Sequence, residues 1–233
     1  MPFTEKTDKY QVLCTDPDGS IMKELAEMFG AHLKKGINFV SMISQMTNFA
    51  TKFNQNALKH PQMQKWIQDP TTKFDLVIVQ PFLAGEAGYY LGYRFQAPTA
   101  TYLTTQSQMP HISSTVGQPF NPSYTPLPVL PFAFGEMNFF QRAINTFASF
   151  ILEHVMKDIL LVKMVDSILD EHFPGETRPG LLELERNVSA VFQFGHPFIS
   201  DGWTPMVPNF VQLGMMNCRL HNCYIIVKYV FYQ

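Results

Sequence analysis

The chain has 233 residues and a formal net charge of -2, from 17 basic and 19 acidic residues. Hydrophobic residues make up 46% and charged residues only 15%, which excludes a disordered, charge-dominated chain and leaves enough apolar side chain for a sizeable core. No basic run occurs, so electrostatics offers nucleic acid no footprint and none is expected as a partner.

The opening "MPFTEKTDKYQVL" has no apolar segment of the kind a signal peptide needs. Nowhere do about twenty apolar residues run together, as a membrane-spanning helix requires. As written, the chain is therefore expected to be cytoplasmic.

Residues 20–35 place Ile21, Leu25, Met28 and Phe29 on one helical face, with Ser20 as the expected N-cap and Gly36 as the stop. Residues 37–56 repeat the pattern through Val40, Ile43, Met46, Thr47, Ala50 and Phe53. A short helix follows in "HPQMQKWIQDP", where Pro61 suits a first helical position and Pro70 ends the element. "KFDLVIVQPF" is then a strand that is apolar almost without alternation from Phe74 to Val79, the mark of a strand buried on both faces. It ends on a polar residue, Gln80, where open α/β sheets face their ligand crevice.

Leu83, Ala87, Leu91 and Phe95 recur at helical spacing, and "TATYLTT" reads as a second strand, which completes one βαβ unit. On that helix Glu86 is expected to face solvent. Residues 106–135 carry six prolines and form a long loop, of the kind that is often functional. A long helical region follows from Met137 to Phe173, with Phe140, Ile144, Phe147, Ile151, Val155 and Ile159 on one stripe. That stripe, with Phe139, is expected to be core, or in part the wall of a cavity. "LLELE" is a helical turn, and "VSAVFQF" and "VPNFVQLG" are two further strands.

Catalytic and metal motifs are sparse. Three cysteines cannot build a disulfide framework, and Cys218 and Cys223 around His221 lack the second pair a zinc site needs, so no metal is expected. There is no Gly-x-Ser-x-Gly elbow and no glycine-rich phosphate loop at fingerprint spacing. Of the seven histidines, His111 stands in the proline-rich loop beside Ser113 and Ser114, His154 lies on the long helix, and His196 follows a strand. His60 and His172 are expected to face solvent. Asn187-Val188-Ser189 is a glycosylation sequon, relevant only in the secretory pathway.

Four stretches, in this order, resemble the amino-terminal half of an insect-type UDP-glycosyltransferase. They are "HPQMQKWIQDPTTKFDLVIVQPF" with "LGYRFQAP", then "SSTVGQPFNPSYTPLP", then "MNFFQRAINTF", and last "LERNVSAVFQFGHPFISDGWTPMVPNFVQLGMMN". The resemblance runs from about Gly36 to Gly214. It implies a GT-B fold whose first domain, a Rossmann-like parallel sheet with flanking helices, holds a small lipophilic acceptor. The family's second domain binds a UDP-sugar as co-substrate, and a hexosyl group passes to an acceptor hydroxyl, in detoxification. A base His near the start is implied, held by a carboxylate at the end of a later strand, because a hydroxyl attacks well only when a positioned base takes its proton.

The chain departs from that pattern. The opening strand and the base His are absent, and no sugar-nucleotide site is expected. Gln80 stands where the family places its orienting carboxylate; a Gln accepts a hydrogen bond from an imidazole but supplies no charge to an imidazolium. Residues 1–214 are thus expected to be an incomplete acceptor-binding domain, and 215–233 a tail without family counterpart. His111, Ser113, Ser114 and Phe140 are the acceptor-pocket candidates. The family implies the lumenal side of the endoplasmic reticulum, with membrane association only in full-length relatives. Two other outcomes stand beside the inactive acceptor-binding half. One is a non-catalytic lipophile-binding protein that associates with full-length relatives. The other is an unstable piece that aggregates through an exposed strand edge.

Overall fold

The computed structural model describes residues 6–213 other than 8–9, 12, 14–15, 17, 36–38, 82–84, 104–116, 118–119, 128–129, 134, 176 and 194–206. A two-stranded antiparallel ribbon, β1 (Lys6–Thr7) and β2 (Tyr10–Gln11), precedes three helices, α1 (Ser20–Lys35), α2 (Phe39–Lys59) and α3 (Pro61–Gln68). The next elements are β3 (Val77–Val79), α4 (Gly88–Phe95) and β4 (Thr99–Leu103). Then a continuous helical rod runs as α5 (Phe139–Phe150), a wider π-helical segment (Ile151–Leu161) and α6 (Val162–His172). The described chain closes with α7 (Leu181–Arg186), β5 (Ala190–Gln193) and β6 (Phe210–Gln212).

β3 to β6 form one parallel sheet in sequential order, and the parallel β3–β4 pair is the one the βαβ spacing predicts. In-register neighbours share a face. One row crosses the sheet as Val79, Thr101, Val191 and Phe210, all buried. Helices cover this face: Leu58 of α2, Met63 and Ile67 of α3, Tyr89, Tyr90 and Leu91 of α4, Val165 and Leu169 of α6, and Leu181 and Leu184 of α7 form one cluster with Val77 and Val79. The other face is not buried to the same extent. Ile78, Tyr102 and Phe192 are half-buried and Val211 is exposed, so the unbroken apolar run of β3 does not mean equal cover on both sides.

Several local expectations are refined. Ser20 is the first helical residue of α1, and the carboxylates ahead of it do the capping. Asp18 accepts from the Ser20 N–H, and Asp16 accepts from the N–H groups of Ile21 and Met22. At α3 the His60 ring accepts from the Gln62 N–H and Pro61 takes the first turn, so His60 is a cap rather than a free surface residue. His172 is likewise half-buried, its ring bonded to the Ile168 carbonyl at 2.8 Å. Phe74 lies outside β3 yet is buried, with edge-on contacts to Trp66 and Phe95.

The largest correction concerns the stripe read as core. Phe139, Phe140, Ile144 and Phe147 are 78%, 74%, 54% and 67% exposed. Polar side chains took the inner face instead. Buried Asn145 accepts from the Leu127 N–H and donates to the carbonyls of Pro122 and Thr125, while Ser149 is also buried. A fully bonded amide orients a helix more strictly than a rank of phenylalanines, which packs acceptably in many rotations. The next turns do bury an apolar side chain, Leu152, against Leu127.

Candidate functional site

Two groups of polar residues lie at or beneath the carboxyl ends of the strands. The first surrounds the end of β3. Gln80 follows Val79 directly and is half-buried. The chain then doubles back, since a Cβ on Gly85 would overlap the Gln80 carbonyl oxygen; only glycine tolerates that approach. The reversal delivers Glu86 into the interior at 2% exposure. Glu86 therefore does not face solvent. It precedes α4 rather than standing on it, so helical periodicity does not govern where its side chain goes.

Beside it, Asn54 of α2 accepts from the Ala87 N–H at 3.0 Å, tying the reversal to the helical layer. The Tyr89 hydroxyl and Thr101 Oγ1 share a 2.9 Å hydrogen bond across to β4. Lys157 Nζ, on the π-helical segment, stands 3.0 Å from Glu185 Oε2 on α7, and both side chains are almost wholly buried. Glu86 Oε2 has no hydrogen-bond partner. Burial pushes the Glu86 carboxyl up to about 8, and the nearby Glu185 charge adds to the rise. Burial also holds the Tyr89 hydroxyl well above its ordinary value, with Glu185 again contributing. Near pH 7 Glu86 is thus a neutral carboxylic acid, able to donate a hydrogen bond but bringing no charge to a neighbouring cation.

The second group lies at the other side of the sheet. The last residues of β5 and β6, Gln193 and Gln212, are register partners, and Leu103 of β4 continues the row. Gln193 is 1% exposed. Among the described residues no group of His, Cys, Asp and Glu could hold a metal ion.

Of the residues singled out from the sequence, the structure sets Gln80 at the strand end it was expected to occupy. His111, Ser113, Ser114, His196 and the tail 215–233 lie outside the described residues. Phe140 is exposed on α5. His154 is exposed and paired with Asp158 at 3.1 Å, an ordinary helix-surface contact. Asn187 caps the end of α7 and is exposed. Sequence reasoning missed Glu86 and the Lys157–Glu185 pair. A signal existed for Glu185, which falls four residues after Leu181 and beside Leu184, on the buried stripe of α7.

A parallel sheet with helices laid on one face and polar groups gathered near its carboxyl ends defines a Rossmann-like α/β protein. Two curated proteins of Dactylopius coccus are similar to it. UDP-glycosyltransferase UGT5 is 26% identical over 149 residues, 64% of this chain and 27% of that protein. UDP-glucosyltransferase 2 is 32% identical over 150 residues, 63% of this chain and 28% of that protein. The chain is related to the UDP-glycosyltransferases, and the match spans little more than a quarter of the length of these relatives. No family model and no solved structure matches. No helix among the described residues is long and apolar enough to cross a membrane.

Proposed function

We propose that this chain is the acceptor-binding part of a UDP-glycosyltransferase, a protein that passes a hexosyl group from a UDP-sugar to a hydroxyl of a small lipophilic molecule. The similarity to two such proteins over about 150 residues carries the reading. The sheet supports it, because an open parallel sheet offers its ligand crevice past the strand ends, where Gln80 stands. His111, Ser113, Ser114 and Phe140 remain the acceptor-pocket candidates, and of these Phe140 has an exposed side chain.

On this reading the chain by itself transfers no sugar. Gln80 brings no charge to steady an imidazolium, and Glu86 is neutral near pH 7. The nucleotide sugar and the base His belong to other parts of the family's architecture. Placement on the lumenal side of the endoplasmic reticulum, use of Asn187 as a glycan acceptor, and a role in detoxification follow from the resemblance alone.

Calorimetry with UDP and fluorescence titration with 1-naphthol, a hydroxylated apolar probe, test the proposal on the purified chain. The expected result is saturable naphthol binding and no heat with UDP. Micromolar UDP binding overturns the assignment of this chain to the acceptor side. A second reading, a non-catalytic protein that associates with full-length relatives, draws support from the exposed stripe Phe139, Phe140, Ile144 and Phe147.

A further inference from the structure

We propose that the ends of β5 and β6 form a subsite for a neutral small molecule bearing a carboxamide, lactam or similar group, with donor and acceptor side by side. Gln193 and Gln212 carry it. The register places them as partners on adjacent parallel strands, both on the sheet face that carries Val191 and Phe210 one row below. Backbones of such neighbours lie about 4.8 Å apart. Gln193 is 1% exposed, while Gln212 is half-buried.

The Gln193 Oε1 and the Gln212 Nε2 are both shut away from water, and neither has a hydrogen-bond partner. Folded proteins leave few buried polar atoms in this state, and each one calls for a reason. Here one orphan is an acceptor and the other a donor, and they terminate neighbouring strands. A group that gives one hydrogen bond and takes one satisfies both at once: its N–H donates to Gln193 Oε1, and its carbonyl accepts from Gln212 Nε2. An ion fits poorly, because an anion would leave the Gln193 oxygen facing like charge and a cation would leave the Gln212 amide unmatched. The third member of the row, Leu103, is 1% exposed, and Val191 and Phe210, each two residues back on its own strand and partners of one another, form an apolar cluster with it. That composition, apolar surface with two unpartnered polar atoms on neighbouring strand ends, is how small neutral ligands are held in orientation.

Nothing in this depends on glycosyl transfer, and its test uses neither UDP nor naphthol. Benzamide is the probe, with N,N-dimethylbenzamide as the matched control that keeps the carbonyl and loses the N–H. Binding to the purified chain is followed by calorimetry and by saturation-transfer NMR. Benzamide is expected to bind, and the dimethyl compound to bind about tenfold more weakly, the worth of one lost hydrogen bond. Gln212→Leu should weaken benzamide by a similar factor, and Gln193→Leu should abolish the preference for benzamide over its dimethyl analogue. Circular dichroism establishes that each variant is folded; because Gln212 is half-buried, its variant serves if the Gln193 variant does not fold. Absence of benzamide binding to the native chain overturns the proposal, as does equal affinity for both probes or unchanged benzamide affinity in folded Gln212→Leu.

Discussion

Replacing Glu86 by Gln should make the protein more stable, and by an amount that grows with pH. Burial lifts the Glu86 carboxyl from its ordinary 4.5 to about 8, with Glu185 adding to the effect. Between those two values the unfolded chain has lost the proton and the folded chain still holds it, so stability falls as pH rises through the window and levels off above pH 8. At about 1.4 kcal/mol for each unit of the gap, the full loss is about 5 kcal/mol, a large part of the 5–15 kcal/mol that roughly bounds a typical domain's stability. A Gln keeps the shape and has no proton to lose. Urea unfolding followed by far-UV circular dichroism should therefore find the variant ahead of the native chain by about 1 kcal/mol at pH 5, about 3 at pH 7 and about 5 at pH 9. Groups common to both proteins cancel in the difference. A difference that stays flat from pH 5 to pH 9 would refute the claim that Glu86 folds into the interior with its proton on.

Three further outcomes follow from the same interior and its surface. Lys157→Met strands the Glu185 carboxylate in a buried site and should cost about 3–5 kcal/mol in urea unfolding, whereas Lys157→Met with Glu185→Leu should recover most of it. Gly92→Ala drives a Cβ into Thr99 Oγ1, where the chain turns from α4 into β4; a loss of about 1–3 kcal/mol is expected, relieved in a Thr99→Ala background. Phe140→Ser, at a side chain 74% exposed, should change stability by no more than about 0.5 kcal/mol while reducing light scattering at high concentration; a large drop in melting temperature would mean the phenylalanine is core after all.

The strands and most helices were legible in the chain itself. Val77–Val79 and Thr99–Leu103 announced themselves as apolar runs of strand length, and parallel pairing followed because a helix of suitable length separates them. Pro61 marked the start of α3 for a reason internal to the backbone, a missing N–H and a fixed φ. Gln80 could be placed at a strand end by counting along β3. All these features depend on neighbours a few residues away, and local sequence encodes such neighbours directly.

The interior polar groups and the direction of α5 were decided elsewhere. The period of Phe140, Ile144 and Phe147 identified a helix and its apolar side, but period carries no information about which side meets the protein; Asn145, bonded to a loop about twenty residues earlier, settled that. Glu86 is buried because Gly85 lets the chain fold onto the Gln80 carbonyl, and that burial, with the Glu185 charge of α7 adding to it, raises its carboxyl. Charge state in a folded protein follows from what surrounds a group in space, and Lys157, Glu185 and Glu86 come together only when helices far apart in the chain are laid on one face of the sheet.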